Sequence, residues 1–459
     1  MESSNKKNNL NKLIDNNCKE KFKDKIVKDI YHQAEKIAAR NTHGNESTKY
    51  KWEDKIDNVL TSKWLGFPIM LLLLGGIFWI TIIGANYPST ILAKGLFWIE
   101  SQITNIFMAL NSPQWLHGIL VLGVYRTLAW VISVMLPPMA IFFPFFTLLE
   151  DLGYLPRVAF NLDNYFKKAG AHGKQSLTMS MGFGCNAAGV IAARIIESPR
   201  ERLIAILTNN FVPCNGRFPT LIILASLFMG TIVNEKYSSL IATSVVVGIV
   251  LVGITITLLV SWLLSRTLLK GIPSSFTLEL PPYRRPQIGK ILIRSFIDRT
   301  LFVLERAVIV AAPAGAVVWI FANIGLYGES LITLVSNFLD PVAMLIGLDG
   351  IILLAFILGL PANEIVLPIL VMSYLSAGTM LEPSSNQVLR EILVNHGWTW
   401  VTALATMLFS LLHFPCGTTL LTIKKETNSI KWTIFAAVMP LIVACVVNFL
   451  VVQTINLFI

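Results

Sequence analysis

Gly182-Phe183-Gly184-Cys185-Asn186 interrupts an apolar run that would otherwise read as one membrane helix. Val212-Pro213-Cys214-Asn215-Gly216-Arg217 and Phe414-Pro415-Cys416-Gly417 do the same further along the chain. Glycine and proline release backbone groups from the helical ladder, and lipid offers those groups no partner. Broken backbone is tolerated at membrane depth only where it is buried in protein or lines a watery cavity. A fourth break, Gly359-Leu360-Pro361-Ala362-Asn363-Glu364, carries a carboxylate where the others carry a thiol. A lone cysteine is usually a small buried hydrophobe. Three of them beside breaks read instead as soft ligands along a path for a transition-metal ion.

The composition agrees. Of 459 residues, 54% are hydrophobic and 14% charged, and the mean hydropathy is +0.64. A soluble domain carries about 25% charged residues. Several apolar stretches reach the roughly 20 residues a helix needs to cross hydrocarbon, which predicts an all-α polytopic membrane protein of about seven to nine spans. The net charge of +10 reads as basic loops held on the cytoplasmic side rather than as a nucleic-acid surface. Five cysteines, three of them in or beside apolar segments, do not form a disulfide framework. The first apolar segment follows a long polar stretch and has no cleavage site of small residues, so no signal peptide is expected.

Five regions follow from the charge and hydropathy pattern. Residues 1–63 form a polar, partly helical arm, with Ile26, Ile30 and Ile37 at helical spacing and an amphipathic stretch from Trp52 to Trp64. This arm is expected to be cytoplasmic and to offer a docking face. Residues 64–114 hold the first span and an external segment. Residues 115–265 form a first repeat, 266–299 a basic cytoplasmic loop with Pro281-Pro282 and Arg284-Arg285-Pro286, and 300–459 a second repeat. Trp115 to Met135 contains His117 and Arg126 and reads as a short re-entrant or pore-facing helix, with a restart at Leu136-Pro137-Pro138. The Cys185 segment runs from one basic cluster to another, which predicts a hairpin entering and leaving on one side. Each repeat then has one hairpin-type break followed by a Pro-Cys break. The charge bias sends the first Pro-Cys helix outward and the second inward, as an inverted-topology repeat would.

Entering a low-dielectric path costs a divalent ion its hydration, so the path must return ligands and preferably negative charge. Cys185, Cys214, Cys416, Asn186, Asn363 and Glu364 are the candidate ion contacts. This donor set suits a borderline-soft cation rather than magnesium or calcium, which want oxygen alone. Arg217 or Arg126 could instead pair with Glu364. His413, and Met179 and Met181 near Cys185, are weaker candidates. No nucleophile, base and orienter constellation is present, and no enzyme activity is expected.

The run Leu149-Glu150-Asp151-Leu152-Gly153-Tyr154-Leu155-Pro156-Arg157-Val158-Ala159-Phe160 resembles the membrane part of the FeoB family of ferrous iron transporters. So do the Cys185 break, Arg194-Ile195-Ile196-Glu197, Glu201-Arg202-Leu203 leading to Pro213-Cys214, Glu364-Ile365-Val366, and Pro415-Cys416 with Lys424 to Glu426. The resemblance covers residues 50–459. It implies two gate-type repeats around an iron path in a prokaryotic cytoplasmic membrane, with ferrous iron as cargo and no permanently bound cofactor. Family members usually carry a fused GTP-binding domain. No G-x-x-x-x-G-K-[ST] loop occurs in this sequence. The resemblance therefore implies a separate GTPase subunit, together with a small cytoplasmic accessory protein and a homo-oligomer as further partners. Asn363 stands where the family commonly has lysine, which removes a charge that would repel cations. Two rival functions remain open: a permease for nucleosides or another small solute, and a non-transporting gate-type membrane protein.

Overall fold

In the computed structural model, the described residues are 25–26, 29–38, 40, 48–62, 64–229, 235–271, 283, 286–326, 329–380 and 386–458. They are helical apart from loops and one two-residue antiparallel ladder, β1 (Gly325–Leu326) with β2 (Glu329–Ser330). Among them, six helices are long and apolar enough to cross a membrane, or seven if one pair bent by 109° is counted as one span. The sequence expectation of about seven to nine meets this count at its lower bound of seven, reached when the bent pair is one span.

Helix α1 (Thr48–Leu60) leads into α2 (Gly66–Ala109), whose 44 residues make it about 66 Å long, about twice the hydrocarbon thickness. Next comes a continuous helix from Gln114 to Asp151. It begins with a π-helical stretch, Gly118–Tyr125, and continues as α3 (Arg126–Asp151). The expected re-entrant break at residues 115–135 is therefore absent. Pro137 and Pro138 lie inside α3 without ending it. Arg126 is satisfied there by Glu100 of α2, with Nε to Oε1 at 2.9 Å, so its charge does not mark a break.

Two compact units follow. In the first, α4 (Tyr154–Lys168) precedes a hairpin of α5 (Gln175–Gly184) and α6 (Asn186–Ala192). The two ends of the hairpin are tied together, since Lys174 Nζ donates to the Ile195 carbonyl at 3.2 Å. A broken helix comes next: α7 (Pro199–Thr208), a 3-10 turn at Asn209–Phe211, and α8 (Phe218–Leu224). Helix α9 (Glu235–Arg266) closes the unit.

The second unit repeats the plan. After α10 (Phe302–Asn323) and α11 (Leu331–Leu345), α12 (Gly350–Leu358) and α13 (Val366–Tyr374) form another hairpin. Its base is closed by the Tyr374 hydroxyl donating to the Asp349 carboxylate. The connecting helix α14 (Asn386–Asn395) leads to the second broken helix, α15 (Trp400–Leu412) and α16 (Gly417–Thr427), and α17 (Ile430–Phe458) ends the fold.

The units run in opposite senses. Phe228, just beyond α8, packs on Trp398, just before α15, with ring centroids 5.9 Å apart. Arg194, beyond α6, pairs with Glu426 at the end of α16. The first broken helix thus ends on the side where the second begins. In the arm, residues 29–38 are helical, and Ile26, Ile30 and Ile37 are all exposed. The expectations for Pro281-Pro282 and Arg284-Arg285 lie outside the described residues.

Candidate ion pathway

The four breaks share their local chemistry. At each hairpin tip the residue before an asparagine is extended: Cys185 has φ −155° and ψ 127°, and Ala362 has φ −149° and ψ 117°. Asn186 and Asn363 therefore hold equivalent places. In each broken helix a proline precedes the cysteine. Proline lacks an N–H and disfavours helix at the residue before it, so Val212 and Phe414 lie outside the helices that precede them. Each tip is then stitched to the break of its own unit. The Asn215 N–H donates to the Gly184 carbonyl at 3.3 Å, and the Gly417 N–H donates to the Leu360 carbonyl at 2.7 Å. These bonds satisfy backbone groups that the breaks release.

All six sequence candidates line one cavity between the units. It holds about 30 Å³, the space of one or two water molecules. Met135 and Met139 of α3, and Val303 and Ala307 of α10, complete its wall. Cys185 and Cys214 are buried, and Cys416 is partly buried with its Sγ 3.2 Å from Thr419 Oγ1. Asn363 is 5% exposed, its Nδ2 donates to Cys214 Sγ at 3.9 Å, and its buried Oδ1 has no partner. That oxygen is a free acceptor in the cavity wall. The Glu364 carboxylate lies against the backbone of the other unit: a Cβ added to Gly216 would sit 2.0 Å from Oε1. A side chain at this position would have to displace the carboxylate. Asn186, in the orientation that satisfies it, donates to the Gly182 and Val212 carbonyls at 3.2 Å each, so its amide nitrogen braces the tip.

Among the described residues, no three His, Cys, Asp or Glu side chains stand close enough together to hold a metal ion. The donors line the cavity wall without forming a cage. A path must bind firmly enough to admit an ion and weakly enough to release it.

Sequence reasoning missed the main role of Arg217. This side chain is 1% exposed and makes no ion pair with Glu364 among the described residues. Its Nη1 donates to the Asn210 and Leu411 carbonyls at 2.8 and 2.7 Å. Its Nη2 donates to Asn210 Oδ1 at 3.1 Å, and to the His413 and Phe414 carbonyls at 3.2 and 3.1 Å. The guanidinium thereby caps the carbonyl end of α15, where the helix dipole is negative, and fastens the two broken helices together. The signal available in the sequence was an arginine three residues after Cys214, in a segment with no acidic neighbour. His413 is also placed differently from expectation. It is 1% exposed, its Nδ1 lies 2.9 Å from the Ser410 carbonyl, and its ring stacks on Phe409. It does not line the cavity. Met179 is a core residue, whereas Met181 lines a neighbouring space.

A family profile described as "Nucleoside recognition", of the Gate type, matches residues 132–228 and 304–430, one segment in each unit. A second, described as "Ferrous iron transport protein B C terminus", matches residues 246–298. The Fe(2+) transporter FeoB of Staphylococcus aureus strain MSSA476 is 31% identical over 432 residues, which is 91% of this chain and 61% of the relative. That of Methanocaldococcus jannaschii is 28% identical over 436 residues, 92% of this chain and 61% of the relative. The Fe(2+) transport protein A/Fe(2+) transporter FeoB fusion protein of Porphyromonas gingivalis is 28% identical over 444 residues, 87% of this chain and 51% of the relative. No solved structure matches. The chain thus spans about three fifths of the length of the first two relatives and half that of the fusion protein.

Two opposed units, each a hairpin and a broken helix, define a gate-type membrane protein. Within that class, the chain is similar to the part of the Fe(2+) transporters named FeoB that it matches over about nine tenths of its own length.

Proposed function

We propose that the chain is a permease for ferrous iron and that its cargo passes the cavity between the two units. The observation that carries this reading is the convergence of three thiols, the unpartnered Asn363 oxygen and the Glu364 carboxylate on one cavity. Sulfur and oxygen together suit a borderline-soft divalent ion. The carboxylate offsets part of the charge that such an ion brings into a low-dielectric site. The relatives, named as Fe(2+) transporters, support the same cargo. A nucleoside is disfavoured by size, because small-molecule sites occupy roughly 300–1,000 Å³ and this cavity about 30 Å³.

Cys214 and Cys416 contact the ion from the broken helices, and Cys185, Asn186, Asn363 and Glu364 from the hairpin tips. The N-terminal arm lies on the cytoplasmic side, because basic residues flank the first span and the connected loops. We assign gating to a separate GTP-binding protein; the matched relatives extend well beyond the region that aligns with this chain. A small accessory protein is supported by the fused relative.

Uptake of labelled Fe2+ into proteoliposomes of the purified chain tests the cargo. Cys185→Ala and Cys214→Ala are expected to lower uptake strongly while the protein stays folded. Normal uptake in both variants, or uptake of a nucleoside with no metal dependence, overturns the reading.

A further inference from the structure

A second space of about 440 Å³ adjoins the cavity. Val303 and Thr418 belong to the walls of both, so the two meet there. Ala187, Ala188, Ile191 and Ala192 line this space from one stripe of α6, and α16 and α10 supply the facing walls. Helices α6 and α16 each begin at a cysteine break, at Cys185 and Cys416. They run side by side away from the cavity, and their far ends are joined by Arg194 and Glu426. That pair is bidentate, with Nε to Oε2 and Nη2 to Oε1 both at 2.7 Å. It links residues 232 apart in sequence. Lys425 and Arg306 stand in the same wall, and Arg306 donates to Thr422 at 2.9 Å.

We infer that this space is the inner vestibule of the path and that the Arg194–Glu426 pair is the latch holding the first hairpin closed against α16. The inference rests on the proposed path for its direction, and three further observations carry it. The mouth is ringed by Arg194, Arg306 and Lys425, the side that basic residues mark as cytoplasmic. The pair lies at the edge of the space, with the Arg194 side chain 61% exposed and that of Glu426 9% exposed, so water reaches the guanidinium and competes for its hydrogen bonds. The third observation is how the hairpin is held. Its base is tied by Lys174, and it enters and leaves through short connectors at residues 169–174 and 196–198. Its tip stays stitched to the first unit's own break through Asn215 and Gly184, so any opening leaves the tip in place and displaces the Arg194 end of α6. Gly170 lies in the first connector, with φ +73°. A few residues at element ends suffice to absorb a hinge motion. Opening the latch would part α6 from α16, widen the junction at Thr418, and leave the Glu426 carboxylate free to meet a departing cation.

The test reads access rather than transport. Ala188→Cys places a thiol on the vestibule wall, away from the cavity. Its labelling by a membrane-impermeant thiol reagent is followed in inside-out vesicles of the full chain, with the parent chain as background. Arg194→Gln and Glu426→Gln are each expected to raise the labelling rate by about two- to fivefold, the ratio a pair of this exposure supports. The exchange Arg194→Glu with Glu426→Arg is expected to return it to the starting rate. Unchanged rates in both single variants, or no recovery in the exchange variant when it elutes as a folded protein, overturn the latch. Because the readout contains no metal, loss of the iron reading with the labelling pattern intact would leave the latch standing, and the converse result would remove only the latch.

Discussion

The first hairpin carries Cys185 just before its tip asparagine, and the second carries Glu364 just after its own. The scaffold is shared: an extended residue, an asparagine, and a tip carbonyl stitched to a Pro-Cys break. The broken helices are alike at the cysteine but differ three residues on, where the first has Arg217 and the second has Thr419. Arg217 reaches across to the second unit's carbonyls, while Thr419 contacts its own Cys416. The duplicated frame thus brings four breaks to one place, and the substitutions within it divide the labour. One unit supplies a thiol tip and the fastening cation, and the other supplies the negative charge.

The sharpest way to break this comparison is Arg217→Ala set against Thr419→Ala. Losing the guanidinium removes the donor from three buried carbonyls, those of Asn210, Leu411 and Phe414, at roughly 1–3 kcal/mol each, while the His413 carbonyl keeps Asn210 Nδ2 at 2.6 Å. Arg217→Ala is therefore expected to abolish the folded state, whereas Thr419→Ala should keep its thermal midpoint close to the parent's. Thermal unfolding in detergent reads both, and equal midpoints would dissolve the proposed division. Glu364→Gln comes next. Removing the one carboxylate that the described residues place in the cavity wall should cut Fe2+ uptake by roughly a hundredfold, as expected when a buried charge loses its partner. The elution volume should not change. Gly216→Ala probes the same contact from the other side. The added methyl would occupy the space of the carboxylate, an overpacking cost of about 1–3 kcal/mol, and should lower uptake less than Glu364→Gln does.

Cys214→Ser and Cys416→Ser sharpen the comparison further. Their places in the two units are equivalent, so uptake should fall by similar factors, less than for Glu364→Gln, because a hydroxyl still offers a lone pair. A loss confined to one of them would mean that the ion uses a single unit's break.

The smallest effect concerns the arm, which is anchored to the first unit. Arg157 Nε and Nη2 donate to Asp57 of α1 at 3.0 and 3.1 Å. The Tyr283 hydroxyl donates to the same carboxylate at 2.6 Å, and the guanidinium lies 4.1 Å from the Tyr283 ring centroid. Burial pushes the Asp57 carboxyl up, but the hydrogen bonds from Arg157 and Tyr283 and the guanidinium charge outweigh it, and the net shift is downward. Burial and the bond to Asp57 push the Tyr283 phenol up to about 12, so it remains a donor near neutral pH. A depressed carboxylate contributes its stability above the unfolded value, about 3.9, and loses it as the pH falls through the lower folded value. The protection of α1 against hydrogen exchange, taken relative to the intrinsic rate at each pH, should thus be steady near neutral pH and fall only below about pH 4. Asp57→Asn should lower that protection modestly near neutral pH and make little difference once the carboxyl is protonated, and protection that already falls between about pH 7 and 5 would refute this anchoring.

Much of this was legible in the chain. Proline and glycine break helices wherever they fall, and lipid penalises exposed backbone. The breaks at Cys185, Cys214, Asn363 and Cys416 therefore announced both a membrane fold and their own meeting place. Charge bias along the loops carried the opposed sense of the two units. Three features were not legible. Pro137 and Pro138 looked like a restart, yet α3 runs straight through them, because neighbouring helices and local adjustment can satisfy what a proline frees. Arg126 and Arg217 looked like partners for Glu364, but one found Glu100 and the other found backbone carbonyls. A long guanidinium takes whichever acceptors the packing puts within reach, and sequence distance does not report that. His413 looked like a ligand, and helix phase turned its ring into the core. Local chemistry, a property of short segments, could be read from the sequence; which buried donor meets which acceptor depends on how distant segments pack, and only the tertiary structure decided it.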